Sequence, residues 1–166
     1  MLSGSCKPVE LRVPWNCLDA TDATHATDAT NATGSMLESK LSELILDCFF
    51  FVYKQFGYGF LEAVYSNALA TELEYRGVKV RREVAFELYH RGKRVGVYRS
   101  DILVADRVVI EVKSTKQLVE ADERQLINCL KATPIEVGFL LHFGPKPKFI
   151  RRVLTQRDKH SGLATD

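Results

Sequence analysis

An α/β fold, a central mixed β-sheet flanked by helices, is predicted by three features of this chain. Apolar residues recur at helical spacing from Leu41 to Phe56, short β-branched and aromatic runs fill Lys79 to Val112, and helical and strand patterns then alternate to Leu154. That order is the signature of a sheet with helices packed on its faces.

The elements follow in sequence. Leu41, Leu44, Ile45, Cys48, Val52 and Phe56 form one apolar stripe of a first helix that starts near Leu37. Gly57 and Gly59 interrupt it. A second helix is expected from about Phe60 to Arg76, with Gly77 at the position where a left-handed backbone closes a helix. Strands are expected at about 79–84, 86–90 and 94–98, with Arg91-Gly92-Lys93 as a turn. The apolar runs Ile102–Val104 and Val108–Val112 are short and β-branched, so they read as a hairpin turning at Ala105-Asp106-Arg107. A third helix from about Lys116 to Lys131 is stopped by Thr133-Pro134, and strands at Ile135–Phe143 and Lys148–Leu154 complete the pattern.

The hairpin carries the chemistry. A three-residue turn sets Val104 opposite Val108, Leu103 opposite Val109 and Asp101 opposite Glu111, whereas a two-residue turn breaks this arrangement. Side-chain alternation then brings Lys113 to the face shared by Asp101 and Glu111, with Leu103 and Val109 as further core on that side. Ile102, Val104, Val108, Ile110 and Val112 line the other face, so both faces read as buried. Opposed, buried carboxylates repel, at a cost of several kcal/mol unless a cation or proton compensates. A hard divalent ion, Mg²⁺ or Mn²⁺, relieves that conflict and leaves room for phosphate oxygens. A lysine beside it orients or deprotonates a water and offsets charge growing on a phosphate. The plainer alternative is a structural cluster of paired charges at a sheet end.

Four other residues have two readings each. Glu62, in the first turn of the second helix, is either an acid favoured by the helix dipole or a metal ligand. Tyr65, one turn on, is a core aromatic with its hydroxyl at the rim, or it orients Glu62. Gln125 is a solvated helix residue or an amide that steadies a phosphate or a metal-bound water. His142 is read as a polar strand-end residue in preference to an acid or base.

Asp101, followed ten residues later by Glu111-Val-Lys113, resembles the PD-(D/E)XK nuclease superfamily, with Ser100 where the name has proline. Gly59-Phe-Leu-Glu62-Ala-Val-Tyr65 resembles the motif that names the GxxExxY protein family. Gln125–Thr133 and Val137–Gly144 are similar to that family's later helix and strand. The resemblance runs from about Leu37 to Leu154. It implies a PD-(D/E)XK nuclease-like (restriction-endonuclease-like) core with a catalytic site formed by Glu62, Asp101, Glu111, Lys113 and Gln125. The metal is expected to be held by Asp101 and Glu111 with help from Glu62 and the carbonyl of Val112, with Gly59 and Tyr65 in support. Cys129 stands where the family usually has Tyr, His142 where it has Asn, and Tyr53 and Tyr58 where His and Pro are frequent. None of these is an implied metal ligand.

Residues Asp19–Thr33 repeat the triplet Asp-Ala-Thr with His or Asn in the first place, a composition too poor in large apolar groups to fold. The expected organisation is therefore a disordered low-complexity tail over 1–35, a nuclease-like domain over 36–155 and a flexible tail over 156–166, with Met36 as a candidate natural start. Cys6, Cys17, Cys48 and Cys129 show neither a Cys-x-x-Cys pair nor zinc-site spacing, so they read as reduced packing residues. The apolar run Leu44–Tyr53 is short and holds Asp47, so neither export nor a membrane span is expected, and a cytoplasmic location follows. The net charge of +2 decides nothing, but its distribution does: eight cations lie between Arg76 and Arg99 against two acids, and six between Lys146 and Lys159 against one. Such surfaces suit a phosphate backbone.

The expectation is a Mg²⁺- or Mn²⁺-dependent nuclease, a phosphodiester hydrolase acting on nucleic acid and in the first place on DNA. The alternative is a catalytically silent nuclease-like domain that binds nucleic acid or a protein partner. A homodimer, as an endonuclease cutting two strands would use, is left open.

Overall fold

The computed structural model describes residues 38–161. The triplet repeat, the expected tail over 1–35 and Met36 lie outside the described residues. Two helices, α1 (Ser39–Phe56) and α2 (Glu62–Tyr75), precede strands β1 (Val80–His90), β2 (Lys93–Val104) and β3 (Val108–Lys113). Helix α3 (Glu120–Ala132), strands β4 (Val137–His142) and β5 (Lys148–Val153), and a short α4 (Gln156–Ser161) follow.

The strands form one sheet in the order β1-β2-β3-β4-β5, parallel only between β3 and β4 and antiparallel elsewhere. The single parallel pair arises because α3 carries the chain over the sheet before it returns. β3 and β4 are the central strands, and apart from Lys113 every residue in them is buried. Helices cover both faces. On one, Ile45, Cys48, Phe49 and Val52 of α1 and Tyr65, Leu69 and Leu73 of α2 pack on Ile102, Val104, Val108, Ile110 and Val112. On the other, Leu126, Cys129 and Leu130 of α3 pack on Leu103, Val109 and Leu140. The two faces of the hairpin divide as side-chain alternation requires. α3 lies so close that a Cβ on Gly138 would fall 2.7 Å from Leu126 Cδ1 and 3.0 Å from Val109 Cγ2, which explains the absence of a side chain there.

The predicted hairpin register is the observed one: Val104 pairs with Val108, Leu103 with Val109 and Ile102 with Ile110. Gly77 closes α2 with φ 79°, donating to Glu74 O as Val78 donates to Leu73 O.

Several expected boundaries move. The segments 79–84 and 86–90 are one eleven-residue strand, and 94–98 joins 102–104 in one twelve-residue strand. Ala85, the expected gap in the first, pairs with Arg99, and Ser100, in the expected gap of the second, pairs with Val84, so the cross-strand ladder runs through both. The turn between these strands is Arg91-Gly92 alone, both at positive φ, and Lys93 already pairs with His90. α2 begins at Glu62 rather than Phe60, and α3 at Glu120 rather than Lys116, where Asp122 Oδ2 accepts the Val119 amide. Residues 156–161, expected in a C-terminal tail, form α4. Gln156 reaches the Glu136 carboxylate and the Pro134 carbonyl, and Lys159 Nζ bonds the carbonyls of Thr133 and Ile135.

Candidate functional site

The β2–β3 ladder ends at Ile102–Ile110, and Asp101 Oδ2 accepts the next available amide, Val112 N, at 2.7 Å. The strand pairing therefore hands over to a carboxylate at the point where the charged residues begin. Glu111 lies fully buried on β3, one step beyond the last pair. Its Oε2 accepts Gln125 Nε2 from α3 at 2.9 Å, and its Oε1 has no hydrogen-bond partner among the described residues. The Cys129 thiol interacts with the same carboxylate, but a thiol is a weak donor and leaves Oε1 unsatisfied.

Lys113, two residues further along β3, points its ammonium to Glu62 Oε1 at 3.8 Å. Glu62 is the first residue of α2, so the acid at the dipole-favoured end of a helix is also the partner of the strand lysine. Both readings of Glu62 thus meet in one place. Glu62, Asp101, Glu111, Lys113 and Gln125, read from the sequence as one site, are linked here by contacts and mutual electrostatics.

Burial dominates the electrostatics. It pushes Glu111 up to about 8; the Asp101 charge and more weakly Glu62 add to this, and Lys113 opposes it. Asp101 is also raised, first by burial, while the Val112 amide and Lys113 pull it back. Glu62 is raised for the same first reason, with Lys113 and the Ser114 backbone opposing. Cys129 is pushed up to about 12 by burial and then by Glu111. Three carboxylates thus crowd around one ammonium in a medium that solvates them poorly.

Among the described residues, no group of three His, Cys, Asp or Glu side chains converges closely enough to hold a metal ion. Asp101 Oδ2 is turned to the Val112 amide and Glu62 to Lys113, the arrangement that charges of one sign adopt when their compensation comes from donors within the protein.

Tyr65 is the core aromatic of its first reading, and its hydroxyl turns to its own loop rather than to Glu62. It is fully buried, stacks on Phe143 with ring centroids 4.3 Å apart, donates its hydroxyl to Gly57 O at 2.7 Å and accepts the Phe60 amide at 3.2 Å. Its hydroxyl clamps the loop that delivers Glu62. Gly59 in that loop has φ 126°, a backbone that a side chain disfavours. Gly59 and Tyr65 therefore support Glu62 by shaping its approach, with no direct contact from the tyrosine hydroxyl.

His142 is buried at the end of β4, opposite Lys113 in the strand register. Its Nε2 lies 2.7 Å from Thr115 O and so carries the proton, while Nδ1 is buried without a partner among the described residues. It anchors the segment after Lys113, a tertiary role for the polar strand-end residue. Sequence reasoning missed Thr115, the Ser114 backbone and the carbonyls of Gly144 and Pro145 that the Tyr53 hydroxyl holds. Backbone acceptors leave no mark in a sequence.

A model of the PD-(D/E)XK nuclease superfamily matches residues 39–153. No curated protein matches. The crystal structure of SSO0001 matches with 19% identity and a TM-score of 0.45, over 78% of this chain and 65% of that one. The chain thus spans about two thirds of that protein, a likeness too slight to bear on function. The chain belongs to the PD-(D/E)XK nuclease superfamily, and no described helix is long and apolar enough to cross a membrane.

Proposed function

We propose that this member of the PD-(D/E)XK nuclease superfamily, read more narrowly as a GxxExxY protein, hydrolyses phosphodiester bonds in nucleic acid, DNA in the first place, with Mg²⁺ or Mn²⁺. The observation that carries the reading is the fully buried Glu111, with one oxygen held by Gln125 and the other unpartnered beside two further carboxylates and a lysine. A scaffold gains nothing from retaining that repulsion. A divalent cation suits the donor set of Glu111 Oε1, Asp101 and the Val112 carbonyl, with Glu62 in reach of the same charge cluster.

When bound, the cation supplies Lewis-acid stabilisation of the phosphate and lowers the pKa of a coordinated water. The chain's residues do the rest. Gln125 fixes the Glu111 carboxylate so that the same oxygen always faces the site. Glu62 holds the Lys113 ammonium, which is only 14% exposed and so keeps an undiluted charge for a phosphate oxygen and an attacking water. Asp101, anchored through one oxygen to the Val112 amide, presents the other. Cleavage of linear, circular and single-stranded DNA and of RNA in Mg²⁺, Mn²⁺ or EDTA tests this. Metal-dependent cleavage that disappears in both Asp101→Ala and Lys113→Ala supports it. No cleavage of any substrate, with salt-sensitive binding unchanged by either substitution, means a binding domain instead.

A further inference from the structure

Three of the seven exposed aromatic side chains among the described residues lie within five positions of one another, in the segment that leads into Glu62. Phe56, Tyr58, Phe60 and Leu61 are 39, 46, 50 and 78% exposed. The Phe56 and Phe60 rings meet edge to face with centroids 5.8 Å apart. Phe60 in turn rests on Tyr65 at 6.2 Å, Tyr65 stacks on Phe143, and Phe143 donates its amide to the carbonyl of Lys113. Two buried rings therefore brace the exposed ones against the strand that carries the site's lysine. Tyr65 fills the space beneath Phe60, so that ring cannot sink into the core, and the Tyr65 hydroxyl holds the loop at both Gly57 and Phe60.

Clustered rings held in water beside a reactive site fit a ligand with flat apolar faces. The surrounding charge adds that this ligand is anionic. Lys54, Lys146 and Lys148 are exposed and take part in no ion pair among the described residues. Lys54 follows Tyr53 on α1, and the Tyr53 hydroxyl grips the Gly144 and Pro145 carbonyls at the turn that carries Lys146. Lys148 lies in one register row with His142 and Lys113. Flat faces strung on an anionic backbone describe an unpaired strand of nucleic acid, since a duplex hides its base faces in its own stack.

We propose that the Phe56–Leu61 segment is a stacking platform for unpaired bases, so that single-stranded or frayed nucleic acid, rather than intact duplex, enters the site. This deepens the nuclease reading and rests on it for the chemistry, but its binding step is measured separately.

The test uses the full chain in EDTA, where no metal-dependent cleavage occurs, with a fluorescent oligonucleotide offered single-stranded and as duplex, and with 2-aminopurine as a stacking reporter. The wild type is expected to bind the single strand more tightly and to quench 2-aminopurine. Phe60→Ala and Tyr58→Ala each weaken single-strand binding by about tenfold, while Phe60→Trp keeps it. Thermal melts of each variant separate lost stacking from lost fold, and the Tyr58 variant serves if the Phe60 variant unfolds. Equal affinity for duplex, or alanine variants that bind as the wild type does, overturns the platform. So does a wild-type dimer that these substitutions turn into monomer without changing binding, because the patch is then an interface between copies. Vigorous duplex cleavage in Mg²⁺ that ignores the substitutions removes this inference and leaves the nuclease reading standing. Aromatic-dependent single-strand binding with no cleavage of any substrate does the reverse.

Discussion

Glu111 and Glu87 are both strand glutamates beside a cation, and they differ in almost everything else. Glu87, on the outer half of the β1–β2 hairpin, is exposed, accepts the Tyr89 hydroxyl and pairs with Arg94 at 3.0 Å. Those hydrogen bonds, Tyr89 first and Arg94 second, hold its carboxyl below the usual range. Glu111, at the sheet centre, has the opposite displacement, up to about 8, because burial outweighs Lys113. The outer hairpin resolves its charges with partners and water; the centre leaves one carboxylate oxygen unresolved. The first arrangement leaves no charge uncompensated; the second is the one on which the proposed metal role rests.

The largest expected contrast is catalytic. Lys113→Ala is expected to lower metal-dependent cleavage by on the order of a hundredfold or more, whereas Arg94→Ala, the equivalent cation of the outer pair, stays within about twofold of wild type in the same assay. Equal losses from both would erase the distinction between the regions.

Stability against pH comes next. The ordinary carboxyl value of 4.5 for Glu111 rises to about 8 on folding, so within that window the folded chain keeps a proton that the unfolded chain has released. Metal-free stability therefore falls as pH rises through the window, and Glu111→Gln is expected to remove that slope and stabilise the metal-free protein at pH 8 by roughly 1–3 kcal/mol. Mg²⁺ at a hundred times its Kd is expected to add about 2.7 kcal/mol to the wild type and little to the variant. Denaturant titrations across pH measure both; a flat profile for the wild type would contradict the buried charge.

Glycines offer a packing version of the same comparison. Gly138→Ala meets Leu126 and Val109 at 2.7 and 3.0 Å and is expected to cost about 1–3 kcal/mol. Gly96→Ala, on the outer hairpin, meets only Leu88 at 3.7 Å and is expected to change unfolding free energy by less than about 0.5 kcal/mol. Smallest of all is the exposed Glu83–Arg99 pair at 3.4 Å, whose removal by Arg99→Ala is expected to shift the melting curve barely above error.

What was legible in the sequence was local. Turn length and side-chain alternation act over a few residues, so the register that pairs Val104 with Val108 and Leu103 with Val109 followed from counting, and the division of the hairpin into two buried faces followed from its unbroken apolar runs. Gly77 was readable for the same reason. The broken β1 and β2 were misread because Ala85 and Arg99-Ser100-Asp101 carry no local strand pattern, and it is the pairing of Ala85 with Arg99 and Val84 with Ser100 that joins the pieces.

Only the tertiary structure decided who faces whom. Glu62 and Lys113 are fifty-one positions apart in the chain and meet because α2 starts at the end of β3. Gln125 reaches Glu111 because α3 lies pressed on Gly138, and His142 takes Thr115 O because β4 returns parallel to β3. The Tyr65 hydroxyl bonds two backbone groups of its own loop, while Glu62 pairs with the Lys113 ammonium. Such choices depend on distances that chain connectivity does not set, and burial then converts them into the pKa shifts on which the proposed chemistry depends.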